Sequence, residues 1–147
     1  MDEAATRVLK SLQAQCSRRE CCSPDVMRKA LKALDGDAAR AEEVLGSLIA
    51  DGFVDDARYA GAFAREKSAL TGWGPVKIRF ALAAKGIDKA VVDAALDSVD
   101  REDASGRLER LMAAKAKTLE GDPQARLKLI KYALSRGYEY NEVQKHL

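Results

Sequence analysis

Few side chains in this 147-residue sequence are of a type and spacing that could do covalent or metal chemistry. His146, next to the last residue, is the only imidazole, which leaves His-based catalysis and His-rich metal sites little to work with. Cys16, Cys21 and Cys22 cluster, but their spacing is not C-x-x-C and no histidine lies near them. The reading for a reducing compartment is reduced, structural thiols, with a redox-sensitive vicinal pair at Cys21-Cys22 as the alternative. Asp55 and Asp56 are adjacent carboxylates, the one arrangement that suggests acid–base or metal work. They fall where a helix begins, and there acidic groups complement the helix dipole, so a structural role is expected. No phosphate-cradling glycine loop is present. These absences predict a protein that is not an enzyme and has no cofactor, no bound metal and no small-molecule substrate.

What remains is surface charge and one tryptophan. Lys and Arg total 25 against 23 Asp and Glu, so net charge alone predicts no nucleic-acid partner. The distribution is uneven. From Asp35 to Asp56 seven acids face only Arg40, and from Arg58 to Lys85 six bases face only Glu66. A second acidic stretch, Asp88 to Asp103, is followed by a mainly basic one from Arg107 to Arg136. Alternating blocks describe either a set of solvated helix faces or a molecule that meets a partner with patterned charge. On the second reading the candidate contact residues are Arg58, Arg65, Lys67, Lys77, Arg79 and Lys85, joined by Lys128, Lys131 and Arg136. Lys77 and Lys85 are eight residues apart and Arg58 and Arg65 seven, which puts each pair on one helix face. Trp73, in a loop before Gly74-Pro75, would either cover the end of a helical core or stack on a base or anchor a protein contact.

The elements that must position these residues are all helical. Ala, Leu, Lys, Arg and Glu dominate, and β-branched residues never alternate with polar ones over the length of a strand. Apolar stripes recur at i, i+3, i+4, i+7 in Ala5/Val8/Leu9/Leu12, Met27/Ala30/Leu31/Leu34, Ala41/Val44/Leu45/Leu48 and Val92/Ala95/Leu96/Val99. Nine helices of roughly 9 to 18 residues fit the chain. Ser23-Pro24, Gly74-Pro75 and Asp122-Pro123 each place a proline at an expected first helical position behind a capping residue. Gly36, Gly86 and Gly137 close the helices so opened, at positions that favour a left-handed backbone. After Gly86, Asp88 is an expected cap. The period of about 50 residues predicts three tandem three-helix repeats, 1–52, 53–100 and 101–147, stacked with shared cores into an elongated, curved all-α molecule. No segment approaches the roughly 20 apolar residues of a membrane span, and the start of the sequence has no secretory pattern, so a cytoplasmic location without membrane contact is expected.

The stretch Gly52-Phe53-Val54-Asp55-Asp56-Ala57-Arg58-Tyr59-Ala60, followed by Phe63, Lys67, Trp73-Gly74, Lys77-Ile78, Leu82 and Lys85-Gly86-Ile87, resembles the central repeat of the RecX family, bacterial regulators of the RecA recombinase. Ser17-Arg18-Arg19-Glu20 and Ser23 resemble the lead into the second helix of that family's first repeat, with Cys21-Cys22 and Pro24-Asp25-Val26 as departures. Arg136-Gly137-Tyr138 resembles the Arg-Gly-aromatic turn of the third repeat. The resemblance implies a non-enzymatic protein that lies along the RecA filament on single-stranded DNA, across several protomers, and inhibits ATP hydrolysis, strand exchange or filament growth, modulating DNA repair and recombination.

The rival reading is a helix-turn-helix-like regulator acting directly on DNA, because the second and third helices of each unit are joined by a short glycine turn. In the middle unit its recognition helix would carry Asp88, Asp93, Asp97 and Asp100 against Lys89 alone, and phosphate repels such a helix. Weak, salt-sensitive binding to DNA through the basic stretches is compatible with either reading.

Overall fold

The apolar stripes fold as their period requires. The structure, a computed structural model that describes residues 1–147, contains nine helices and no strand: α1 (Glu3–Arg18), α2 (Ser23–Ala33), α3 (Ala38–Ala50), α4 (Asp56–Ala69), α5 (Pro75–Ala84), α6 (Lys89–Asp97), α7 (Arg101–Thr118), α8 (Ala125–Ser135) and α9 (Tyr140–Gln144). The last is only five residues, shorter than the sequence pattern suggests. Asp2, Asp37, Asp55 and Asp100 each accept a hydrogen bond from the backbone N–H three residues on and so cap α1, α3, α4 and α7.

Three local expectations need correction. Pro24 is the second residue of α2, with Cys22 rather than Ser23 at the cap position. Pro123 lies in a turn before α8, where the Asp122 carboxylate accepts from Gln124 N at 2.8 Å. Asp88 occupies the cap position of α6, but its side chain makes no capping bond. The glycine turns form as read: Gly86 and Gly137 have φ of +91° and +93°, a region in which a side chain is strained.

Helices pack lengthwise only within consecutive triplets. Ala5, Leu12, Val26, Ala30, Val44, Leu48 and Val54 belong to the first core, Ala60, Ala64, Ile78, Leu82 and Val92 to the second, and Leu108, Met112, Ala133, Tyr138 and Val143 to the third. The cores are separate where shared ones were expected, and the exception is Cys22, which leaves α2 to bury itself in the second core. A monomer of 16.0 kDa folded as one globule would expose about 7,400 Å². This chain exposes 8804 Å², as an elongated series of units should.

Candidate functional site

Of the contact residues read from the sequence, Lys77 and Arg79 lie on α5, Lys128 and Lys131 on α8, and Lys85 and Arg136 at the C-caps of those two helices, which form a rod with α2. Arg58, Arg65 and Lys67 lie on α4, and Trp73 in the loop before α5. α8, α5 and α2 follow one another end to end, each C-terminal turn abutting the N-terminus of the next, in the reverse of chain order. At the joint of α8 and α5, Gly74 N donates to Arg136 O at 2.8 Å and Val76 N to Gly137 O at 2.9 Å. A helix start has unsatisfied N–H groups, and α5 has no side-chain cap of its own. The carbonyls of the α8/α9 turn supply what is missing. The contact is so close that a Cβ on Gly74 would run into the Gly137 backbone, and one on Gly137 into Lys77. Around it, Arg136 donates to Thr71 O, Tyr138 Oη to Gly72 O at 3.0 Å, and Arg107 Nη2 to the buried Ser68 Oγ at 2.6 Å.

The joint of α5 and α2 uses the same plan with different chemistry. α2 also lacks a cap of its own, and the Asp56 carboxylate reaches over from α4 to accept from Ser23 N at 2.6 Å and from Ser23 Oγ. Lys85 Nζ lies 3.0 Å from Asp25, and Arg58 Nε lies 2.6 Å from Glu20. Burial alone would push the Asp25 carboxyl up, but the Lys85 hydrogen bond, with Cys22 and Arg28 nearby, outweighs it and holds Asp25 below its ordinary range. Lys85 is in turn raised, chiefly by its bond to Asp25. Asp56 therefore serves as a cap in trans between units, a role that the spacing of Asp55-Asp56 did not show.

The candidate residues thus divide by what already holds them. Arg58, Lys85 and Arg136 tie units together. Arg79 pairs with Asp93 at 2.5 Å, Lys128 with Asp122 at 2.6 Å, and Arg65 donates to Ser98 Oγ at 3.2 Å. Lys77 and Lys85 lie at opposite ends of α5, one at each joint. Lys67, Lys77 and Lys131 have no ion pair. Lys67 and Lys77 instead place their ammonium groups 4.8 and 4.7 Å from the centroid of Trp73, where the ring's negative face attracts them. Trp73 is partly buried against the second core, with Phe63 edge-on at 6.3 Å and Tyr59 stacked on Phe63 at 6.2 Å. It covers the end of the second core, and its ring carries the two lysine ammonium groups. It also lines, with Arg79, Arg101, Asp97 and Glu142, a cleft of about 390 Å³ between the second and third units.

The chemistry of the remaining polar groups is quiet. No three His, Cys, Asp or Glu side chains converge to hold a metal ion. All three cysteines are free and buried. Burial, helped by the neighbouring Cys21, pushes the Cys16 thiol up to about 12, and burial also raises Cys22. Cys21 packs in the first core and Cys22 in the second, so the adjacent pair is divided between two interiors. On α6, Asp93 is occupied by Arg79 and Lys89. No helix is long and apolar enough to cross a membrane. Sequence reading passed over Val76, Phe80, Leu127 and Leu134, which are exposed. The available signal was an α5 that is apolar at 76 and 80 as well as at the core positions 78 and 82.

Comparison with known proteins agrees with this architecture. The family model described as "RecX, second three-helix domain" matches residues 55–96, which span α4, α5 and all but the last residue of α6. The regulatory protein RecX of Xanthomonas axonopodis pv. citri is 30% identical over 131 residues, which cover 86% of this chain and 77% of that protein. The regulatory protein RecX of Halalkalibacterium halodurans is 32% identical over 114 residues, but this chain spans only 43% of its length. The crystal structure of RecX from Lactobacillus salivarius superimposes with a TM-score of 0.91 at 20% identity, covering 99% of this chain and 96% of that one. On its extent of identity to the Xanthomonas relative, and in keeping with the repeat motif and the fold, this chain belongs to the RecX family of regulatory proteins.

Proposed function

We propose that this protein binds the RecA filament on single-stranded DNA and inhibits its ATPase and recombinase activity, so modulating DNA repair and recombination without catalysing a reaction itself. The observation that carries this reading is the rod of α8, α5 and α2, which brings candidate contact residues from separate charge blocks into one series of repeated units. A filament presents its binding features at a regular spacing, and units repeated along a ligand of that kind gain from avidity. Lys67, Trp73 and Lys77 near the middle joint, with Lys131 on α8, are the candidate residues least committed to internal pairs. Arg58, Lys85 and Arg136 act chiefly by holding the units in register, and Arg79 and Lys128, paired with Asp93 and Asp122, and Arg65, bonded to Ser98, contribute less to a partner contact. The direct DNA-regulator alternative is weakened by α6, whose acidic residues would face phosphate, and by the five-residue α9.

The test adds purified protein in substoichiometric amounts to RecA on single-stranded DNA and follows ATP hydrolysis, beside a DNA-binding control without RecA. Inhibition is expected, with only weak, salt-sensitive binding in the control. Unchanged hydrolysis together with tight binding to one duplex sequence would overturn the proposal in favour of direct DNA regulation.

A further inference from the structure

α5 and α8 each turn one face inward and leave a second apolar face uncovered. Ile78 and Leu82 of α5, and Ala133 of α8, fill the cores. On the outside, Val76 is 47% and Phe80 75% exposed on α5, and Leu127 48% and Leu134 43% exposed on α8. Counted back from the glycine turns at Gly86 and Gly137, Val76 corresponds to Leu127, so the two helices present an apolar side chain at the same place. Leu134 and Val76 flank the joint where Gly74 N meets Arg136 O. Exposed apolar positions thus lie on both helices that meet at this joint. α2, the third segment, exposes Arg28, Lys29 and Lys32 instead. Scattered single hydrophobics need no explanation. Here only Val76 and Leu127 repeat, Phe80 corresponding to Lys131 and Leu134 to Ala83. What sets the two faces apart is that each carries two exposed apolar side chains on a helix without an acid.

Charge indicates what would cover it. Neither α5 nor α8 contains an Asp or Glu, whereas they carry Lys77, Arg79, Arg126, Lys128 and Lys131. Lys77, Arg126 and Lys131 have no ion-pair partner in the chain. A second copy of this face would set those cations against themselves. Naked nucleic acid would satisfy the cations but give Val76, Leu127 and Leu134 nothing apolar to bury against. A protein surface with apolar side chains set among carboxylates satisfies both.

We propose that the exposed Val76/Phe80 and Leu127/Leu134 faces of α5 and α8 are the docking surface for an acidic, apolar-studded protein surface. This rests on the filament reading and deepens it: the two faces would bind the recombinase protein of the filament rather than its DNA. Phe80 is the central anchor.

The experiment places the photo-crosslinking residue p-benzoylphenylalanine at position 80 of the full chain and irradiates it with RecA filaments on single-stranded DNA. In parallel, the double variant Phe80→Ser/Leu134→Ser and the single variant Phe80→Ala are assayed for inhibition of ATP hydrolysis and for DNA binding without RecA. Adducts on RecA protein are expected, with at least a tenfold loss of inhibition by the double variant, a smaller loss by the single one, and DNA binding and melting temperature unchanged. If the parent protein inhibits the filament but the adducts are on the oligonucleotide, or both variants inhibit as well as the parent, this surface is misassigned while the filament reading stands. If the parent has no effect on the filament, both the reading and the surface fail together.

Discussion

Phe80 and Gly86 belong to the same short segment and illustrate how differently neighbouring residues are constrained. Phe80 touches little in its own chain, so its replacement is expected to leave stability alone. Gly86 is held at φ +91°, and any side chain there meets the steric cost of the left-handed region. Gly86→Val is therefore expected to lower stability by about 1 kcal/mol or more, read as a drop in midpoint in a denaturant titration; an unaltered midpoint would remove Gly86 from its role as the terminator of α5. The cysteines are a third case. Burial raises the Cys16 and Cys22 thiols, and Cys22 lies in a different core from Cys16 and Cys21, so thiolate chemistry at neutral pH has little to draw on. Trp73, Lys67 and Lys77 form a cluster held by cation–π contacts, with neither lysine in an ion pair.

Second helices take their N-terminal caps from elsewhere, and this is the main logic by which the units are joined. α5 uses the carbonyls of the α8/α9 turn, and α2 uses Asp56 from α4. α8, whose start meets no other unit in this chain, has Asp122 to satisfy Gln124 N locally. The α5/α2 joint depends on ionised groups and should respond to pH. The folded carboxyl of Asp25 lies below its ordinary value of 3.8, so its stabilising effect is complete above that value and is lost as pH falls through the lower folded one. Lys85 lies above its ordinary 10.5, so its effect is complete below 10.5 and is lost as pH rises through the folded value. The stability difference between the parent and Asp25→Asn is therefore expected to be constant from about pH 5 to 9 and to shrink below about pH 3. A difference in melting temperature that persisted unchanged at pH 2 would contradict a role for the ionised pair.

Between the second and third units the contact is mainly hydrogen-bonded and depends on two glycines in contact. Gly74 has an ordinary φ of −81°, so alanine would suffer no backbone strain there, and its Cβ would act only by striking the facing Gly137. Gly74→Ala is expected to open this joint, with a loss of about 1–3 kcal/mol typical of overpacking and an increase in radius of gyration by small-angle X-ray scattering at constant helix content. An unchanged radius and stability would show that the joint can yield without cost. Because each core, apart from Cys22, is built within its own triplet of helices, these two joints do much to set how the units follow one another. One joint is held by ions and the other by backbone.

Helical periodicity, the structural place of Asp55 at a helix start and the turns at Gly36, Gly86 and Gly137 were legible without coordinates, because they depend on side-chain type and on spacings of a few residues. The repeat of about 50 residues followed from the same local signals. Asp56 acting on Ser23, Lys85 on Asp25 and Arg136 on Thr71 were not legible: each pair is 33 to 65 residues apart, and no local period marks it. The one-dimensional charge blocks likewise gave no warning that Arg58, Arg79, Lys85 and Lys128 are already neutralised by acids from elsewhere in the chain. Which cations stay free, and which of two apolar helix faces is left uncovered, depends on what the folded chain brings opposite them, and that exists only in three dimensions.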